Sequence, residues 1–231
     1  MDIDLNCDLG EGCPHDAELM PLITSANIAC GFHAGGPAEA QAALALAARH
    51  GVRVGAHPGH ADREHFGRRE LQTAEHQVFA DCVYQIGALA GLAKAAGIEI
   101  RYVKPHGGLY NQACGDDAYA RPVVAATEVF GLAVMGLPDS RLQAVSAGRV
   151  RFVAEGFADR RYLPDGTLMP RSRGDAFVEE PEEAVRQAER LVHEKGVRTL
   201  CVHGDNPRAV EFVRALREEL TRRGFVIRAF A

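Results

Sequence analysis

The chain has no CxxC pair among its six cysteines, Cys7, Cys13, Cys30, Cys82, Cys114 and Cys201. This argues against a disulfide framework and a structural zinc knuckle, and suits a reducing compartment in which most of these thiols are small buried hydrophobes. No run of roughly 18 or more uninterrupted apolar residues occurs, and Met1-Asp2-Ile3-Asp4 lacks the basic start and apolar stretch of a secretion signal, so a cytoplasmic location is expected. There is no block of like charge. With 31 acidic against 26 basic residues the net charge is -5, which leaves no electrostatic footprint for nucleic acid or an acidic membrane and points to a small-molecule substrate. Several catalytic signatures are missing too. No GxxxxGK[ST] loop or strand-borne GxGxxG announces a phosphate or dinucleotide site, no GxSxG elbow supplies a serine nucleophile, and no HExxH holds a zinc ion.

What is present is a globular composition, 47% hydrophobic and 25% charged, over 231 residues, enough for one substantial core and an α/β barrel of one domain, 1–231. Short β-type runs alternate with helical-period runs throughout, as parallel βα units require. Strands are expected at Ile3–Cys7, Ala26–Ala29, Val52–Ala56, Ile100–Lys104, Leu132–Gly136, Phe152–Glu155, Thr199–Val202 and Val226–Ala229, a barrel count of seven or eight. Pro37, Pro181 and Pro207 suit first helical turns, and Gly51, Gly97, Gly196 and Gly224 suit helix ends. One apolar stripe runs through Phe79, Cys82, Val83, Ile86, Leu89, Ala90 and Ala93, another through Val210, Val213, Leu216 and Leu220. The Arg-, Asp-, Gly- and Pro-rich stretch from Ala158 to Phe177 lacks helical periodicity and is expected as a loop over the site.

In a βα barrel the chemistry sits at the carboxyl ends of the strands. Here those ends read Asn6-Cys7-Asp8-Leu9-Gly10-Glu11, Asn27 into Cys30-Gly31-Phe32-His33, His57-Pro58, Lys104-Pro105-His106-Gly107, Glu155 with Asp159 and Arg160 beyond it, and His203-Gly204-Asp205. A lone His or Asp at a strand end is commonly a cap or a satisfied polar residue. Six such ends on one side of one sheet make an active site the better account. The first strand alternates Asp2, Asp4, Asn6 and Asp8 with Ile3, Leu5 and Cys7, so one face is polar throughout. Buried carboxylates need cations or donors, and Lys104, His57, His106 and His203 are available. His57, His60, His33, His106, His203 and Asp8 are also metal-ligand types, but Lys104 in their midst would repel a cation, and no metal is assigned. Cys30 is placed as a structural thiol.

At these same turns the chain resembles the LamB/YcsF lactam-utilisation family of 5-oxoprolinase subunits. The matching stretches are DLNCDLGE (Asp4 to Glu11), SANIACGFHAG (Ser25 to Gly35), GAHPG (Gly55 to Gly59), FGRR (Phe66 to Arg69), YVKPHGGLYN (Tyr102 to Asn111), EGFADRRY (Glu155 to Tyr162), PRS (Pro170 to Ser172) and VHGD (Val202 to Asp205). Gly36 stands where the family usually carries Asp, and His60-Ala61 where Tyr-Pro is common. The resemblance implies a distorted (β/α) barrel of the carbohydrate-deacetylase kind, with about seven parallel strands. It further implies ATP-dependent opening of 5-oxoproline to glutamate with partner subunits B and C, which would hold or complete the nucleotide site.

On that basis Asp8 or Glu155 is expected as general base, Lys104 and His106 as stabilisers of developing negative charge, and His57 or His203 as the acid at the ring nitrogen. Arg69, Arg160 or Arg171 would clamp the substrate carboxylate, with Asn6, Asn27, His33 and Asp205 as further substrate contacts. Two alternatives stay open: a metal-dependent amide or carbohydrate deacetylase, which would act without ATP, and a non-catalytic binding subunit, which would tolerate loss of Asp8 or Glu155.

Overall fold

A computed structural model of the chain describes residues 1–178, 180–203 and 208–230. Seven strands pair in sequence order, all parallel: β1 (Asp2–Leu9), β2 (Ser25–Ala29), β3 (Arg53–His57), β4 (Ile100–Val103), β5 (Ala133–Gly136), β6 (Phe152–Phe157) and β7 (Thr199–Val202). β1 pairs with both β2 and β7 and closes the ring. The last expected strand is a two-residue β8 (Val226–Ile227), which pairs only with Asp2 and Ile3 at the start of β1, below the point where β7 takes over. The barrel therefore has seven staves.

Parallel neighbours need crossovers, and among the described residues eight α-helices supply and surround them: α1 (Asp16–Leu19), α2 (Pro37–His50), α3 (Glu75–Ala95), α4 (Gly107–Gly115), α5 (Asp117–Val129), α6 (Arg141–Ser146), α7 (Pro181–Lys195) and α8 (Ala209–Arg222). Proline opens α2 and α7, and Gly51 and Gly196 end them in the left-handed conformation. Pro207 lies outside the described residues. α3 is long and apolar enough to cross a membrane by length and composition, but here it is a barrel helix that buries Val78, Cys82, Gln85, Ile86, Leu89 and Ala93. Phe79 is not on that face. It is 37% exposed, because Val78, one residue and about 100° away, is the position in phase with Cys82 and Leu89.

The period-two pattern of β1 sorts its side chains between two environments. Ile3, Leu5, Cys7 and Leu9 join the apolar layer shared with the helices, where each fully buried Leu or Ile contributes roughly 1.5–3 kcal/mol. Asp4, Asn6 and Asp8 take the other side, inside the ring. The interior is filled from below by Tyr102, Met135 and Val153 with Phe230 against them, the Tyr102 and Phe230 ring centroids being 5.2 Å apart. Tyr102 can enter only because residue 55 is glycine; a Cβ there would lie 2.1 Å from the Tyr102 ring.

The segment after β6 doubles back as an arm, with antiparallel bridges Arg160 to Phe177 and Tyr162 to Leu168. It lines the cavity at the carboxyl end of the strands with Tyr162, Leu168 and Arg171.

Candidate active site

The interior of the barrel is a ladder of hydrogen bonds rising from Asp4 to Asp8. At its base Asp4 accepts from Thr24 (2.6 Å), Ser25 (2.7 Å) and the Thr199 hydroxyl. Burial still outweighs these donors and pushes the Asp4 carboxyl up to about 6. Thr199 also accepts from Asn6 Nδ2 at 2.7 Å, and Asn27 Nδ2 donates to Asn6 Oδ1 and Asp8 Oδ1, each at 2.7 Å. Tyr102 completes the tier by donating to Asn27 Oδ1 at 2.7 Å. Every polar atom of Asn6 and Asn27 thus faces protein, and both side chains are buried. Expected from the sequence as substrate contacts, neither lines the cavity; they hold the carboxylate above them.

Asp8 is the first rung to reach the cavity. Lys104 Nζ lies 3.0 Å from Asp8 Oδ1, 2.9 Å from Glu155 Oε1, 3.1 Å from Cys201 Sγ and 3.3 Å from Asn6 Oδ1. His57 Nε2 stands 3.3 Å from Asp8 Oδ2. Burial would raise the Asp8 pKa, but His57 and Lys104 outweigh it and hold the carboxyl well below its ordinary value. Burial works against Lys104 in turn, and Asp8, Cys201 and Glu155 overcome it to keep the ammonium protonated. Glu155 lies beneath Lys104 and is fully buried. It meets the ammonium as an ion pair, yet among the described residues neither oxygen takes a directed hydrogen bond. As a general base it has no path to a ligand in the cavity, whereas Asp8 does.

A second unit stands on the opposite wall. His203, directly after β7, donates through Nδ1 to Asp159 Oδ2 at 2.8 Å, and its backbone N–H donates to the same oxygen at 2.9 Å. The ring stacks on Phe157 at 5.8 Å, leaving Nε2 as its remaining functional nitrogen. Burial alone would raise the Asp159 pKa; His203 brings it below the ordinary value. This is an oriented acid-base pair.

The histidines from β2, β3 and β4 gather around Glu11. Glu11 Oε1 lies 3.1 Å from His33 Nε2, 3.3 Å from His106 Nδ1 and 3.9 Å from His57 Nε2. His106 spends both ring nitrogens on protein, Nε2 donating to the Phe66 carbonyl at 2.8 Å and Nδ1 facing His57 Nε2 at 2.9 Å. It is therefore not a free donor for an oxyanion. His33 stacks on His106 with centroids 3.7 Å apart and does not reach the cavity, so it supports the site from behind. Burial pulls the pKa of both down, keeping neutral imidazoles. Gly67 makes this packing possible: at φ +65° a Cβ would lie 2.5 Å from His33 Cβ. His60, singled out with His57 by sequence, turns away and donates to Gln112 at 2.7 Å.

Of the three arginines proposed as clamps, Arg160 and Arg171 line the cavity and Arg69 does not. Arg69 is held by Asp62 through two hydrogen bonds, 2.6 and 3.1 Å, seven residues back in the same loop. Arg160 is 5% exposed, donates to the Met169 carbonyl and has no hydrogen-bond partner for its buried Nε among the described residues. Burial and neighbouring Arg171 lower its pKa to about 10. An anion between them would relieve both effects. Asp205 lies outside the described residues. Cys30, pushed up to about 12 by burial, is a protonated thiol and no nucleophile. Sequence reasoning passed over Glu11 and Asp159, although both stand within stretches it had marked.

The cavity at the carboxyl end of the barrel has a volume of about 1730 Å³. The fold is a distorted (β/α) barrel with a polar cavity at the carboxyl ends of its strands, lined by Asp8, Lys104 and His203. The chain belongs to the LamB/YcsF family, whose model matches residues 3–231. It is 46% identical to the A subunit of 5-oxoprolinase from Thermus thermophilus with 100% of both chains covered, and 46% identical to that of Neisseria meningitidis serogroup C with 98% and 99% covered. A solved lactam utilization protein from Thermus thermophilus superposes with a TM-score of 0.91 at 43% identity, covering 100% of both chains. A family 4 carbohydrate esterase from Streptomyces lividans shares the fold, with a TM-score of 0.55 at 11% identity over 100% of this chain and 93% of that one.

Proposed function

We propose that the chain is the A subunit of an ATP-dependent 5-oxoprolinase, and that its cavity is where the activated lactam is opened to glutamate. The observation that carries this is the 46% identity, end to end, with proteins bearing that name. The site chemistry supports it.

A five-membered lactam is a stable amide, and its carbonyl carbon accepts water readily only once the oxygen has been converted to a leaving group. The chain has no phosphate loop, so partner subunits B and C supply that phosphorylation from ATP. Here Asp8, ionised beside Lys104, takes a proton from a water as its oxygen bonds to the ring carbon. Lys104 offsets the negative charge that develops there. The carbon to nitrogen bond then breaks, and His203, oriented by Asp159, protonates the departing nitrogen. A second water cleaves the resulting acyl phosphate to glutamate and phosphate. Arg160 and Arg171 hold the substrate carboxylate. The cavity far exceeds one lactam, and a partner subunit closing its open side would exclude bulk water. Such a reaction runs where ATP is held, in the cytoplasm.

The test is reconstitution: this chain with its partner subunits, ATP and 5-oxoproline should form glutamate, and omitting the chain should abolish it. Glutamate formation that does not require this chain would refute the proposal, as would a complete complex that binds 5-oxoproline and ATP without turnover.

A further inference from the structure

Beside the Asp8 and Lys104 pair lies a group of ligand-type atoms that the proposed reaction does not use. His57 Nδ1 is 2.7 Å from the Lys104 carbonyl, and His106 Nε2 is 2.8 Å from the Phe66 carbonyl. A carbonyl only accepts, so both of these nitrogens carry the ring hydrogen. The other nitrogens, His57 Nε2 and His106 Nδ1, are the ones turned toward the cavity side. These two face each other at 2.9 Å with their rings nearly perpendicular at 86°, and Glu11 Oε1 stands 3.9 and 3.3 Å from them. Three ligand-type atoms from the ends of three strands thus point into one space, with Asp8 Oδ2 a further 3.3 Å from His57 Nε2. Only a cation, a metal or a shared proton, makes that arrangement favourable.

We propose that Glu11, His57 and His106 form a divalent transition-metal site on the floor of the cavity, with zinc as the best-matched ion and His33 as a positioning residue. Tetrahedral zinc with bonds of about 2.0–2.1 Å sets its ligand atoms about 3.4 Å apart, and the three separations here, 2.9, 3.3 and 3.9 Å, bracket that value. Imidazole ligands in metal sites donate their second nitrogen to a carbonyl or carboxylate, which fixes the tautomer and aims the ring, and both histidines do so. His33 Nε2 donates to Glu11 at 3.1 Å and orients the carboxylate. All three ligands line the cavity, so a fourth position opens toward bound molecules. Charge is balanced as well. Three carboxylates, Asp8, Glu11 and Glu155, face one ammonium, Lys104, which leaves two negative charges for a dication to neutralise; the repulsion expected from Lys104 is already cancelled by its own partners.

The inference goes beyond the proposed function and does not depend on it, since metal binding is measured without substrate. The chain is stripped with chelator and titrated with Zn²⁺ by calorimetry and with Co²⁺ by visible absorption. One equivalent is expected, with ligand-field bands of low-coordinate Co²⁺. His106→Gln and Glu11→Gln should each abolish the bands while far-UV circular dichroism stays unchanged, and His33→Phe should weaken binding about 10- to 100-fold. Should one variant fail to fold, the other and the wild-type titration still decide the matter. No saturable binding of Zn²⁺ or Co²⁺, or bands that survive both ligand substitutions, would overturn the proposal and leave a shared proton as the cation.

Discussion

Lys104→Met separates a buried charge network from ordinary packing. The ammonium lies within 3.0 Å of Asp8 and 2.9 Å of Glu155, and only 2% of its side chain is exposed. Methionine keeps most of the volume but strands Glu155, whose oxygens take no directed hydrogen bond among the described residues. Asp8 keeps Asn27 and His57. Breaking a buried pair from one side costs about 3–5 kcal/mol, a large part of the roughly 5–15 kcal/mol that holds such a domain together. Adding Glu155→Gln removes the stranded charge, so the double variant should recover about 1–3 kcal/mol over Lys104→Met alone. Urea unfolding followed by far-UV circular dichroism reads both differences as midpoint shifts at constant slope. A Lys104→Met variant within about 1 kcal/mol of wild type, or a double variant no more stable than the single one, would refute the reasoning.

Burial raises the Asp4 carboxyl from 3.8 to about 6, so the folded state keeps its proton where the unfolded state has lost it. Stability from this group is full below the unfolded value and is lost, by about 3 kcal/mol in all, as pH rises through the folded one; Asp4→Asn should flatten that slope in pH-dependent unfolding, and an unchanged slope would contradict it. Gly67→Ala forces a left-handed alanine against His33 and should lower stability by about 2–4 kcal/mol in thermal or urea unfolding. Arg160→Lys and Arg171→Lys should each raise KM for 5-oxoproline about tenfold or more with kcat less affected, because lysine cannot reproduce the paired hydrogen bonds; a loss confined to kcat would exclude a clamp. Asp159→Asn should lower kcat by about 10²-fold or more through the orientation of His203.

The barrel was legible in the sequence because its two signals are local. Period-two alternation marked Asp4, Asn6 and Asp8 as an inward face, and strand-end residues collected His57, Lys104 and His203. Illegible features depend on distance or phase. Glu11 follows β1 across Gly10, at φ +70°, where periodicity no longer tells direction. Asp159 finds His203 44 residues away, and nothing in either neighbourhood announces the pair. Arg69 looked like a free cation until Asp62 folded onto it. Glu155, Asn6 and Asn27 read as polar strand residues, but their depth below the cavity floor depends on the packing of the whole ring, which residue type does not encode.

In the reconstituted complex with ATP and 5-oxoproline, the steady-state rate of glutamate formation by Asp8→Asn bears most directly on the catalytic role of this cavity. Assembly and substrate binding should persist while kcat falls by about 10²-fold or more. A variant that assembles, binds and turns over at the wild-type rate would mean that the chemistry happens somewhere other than the mouth of this barrel.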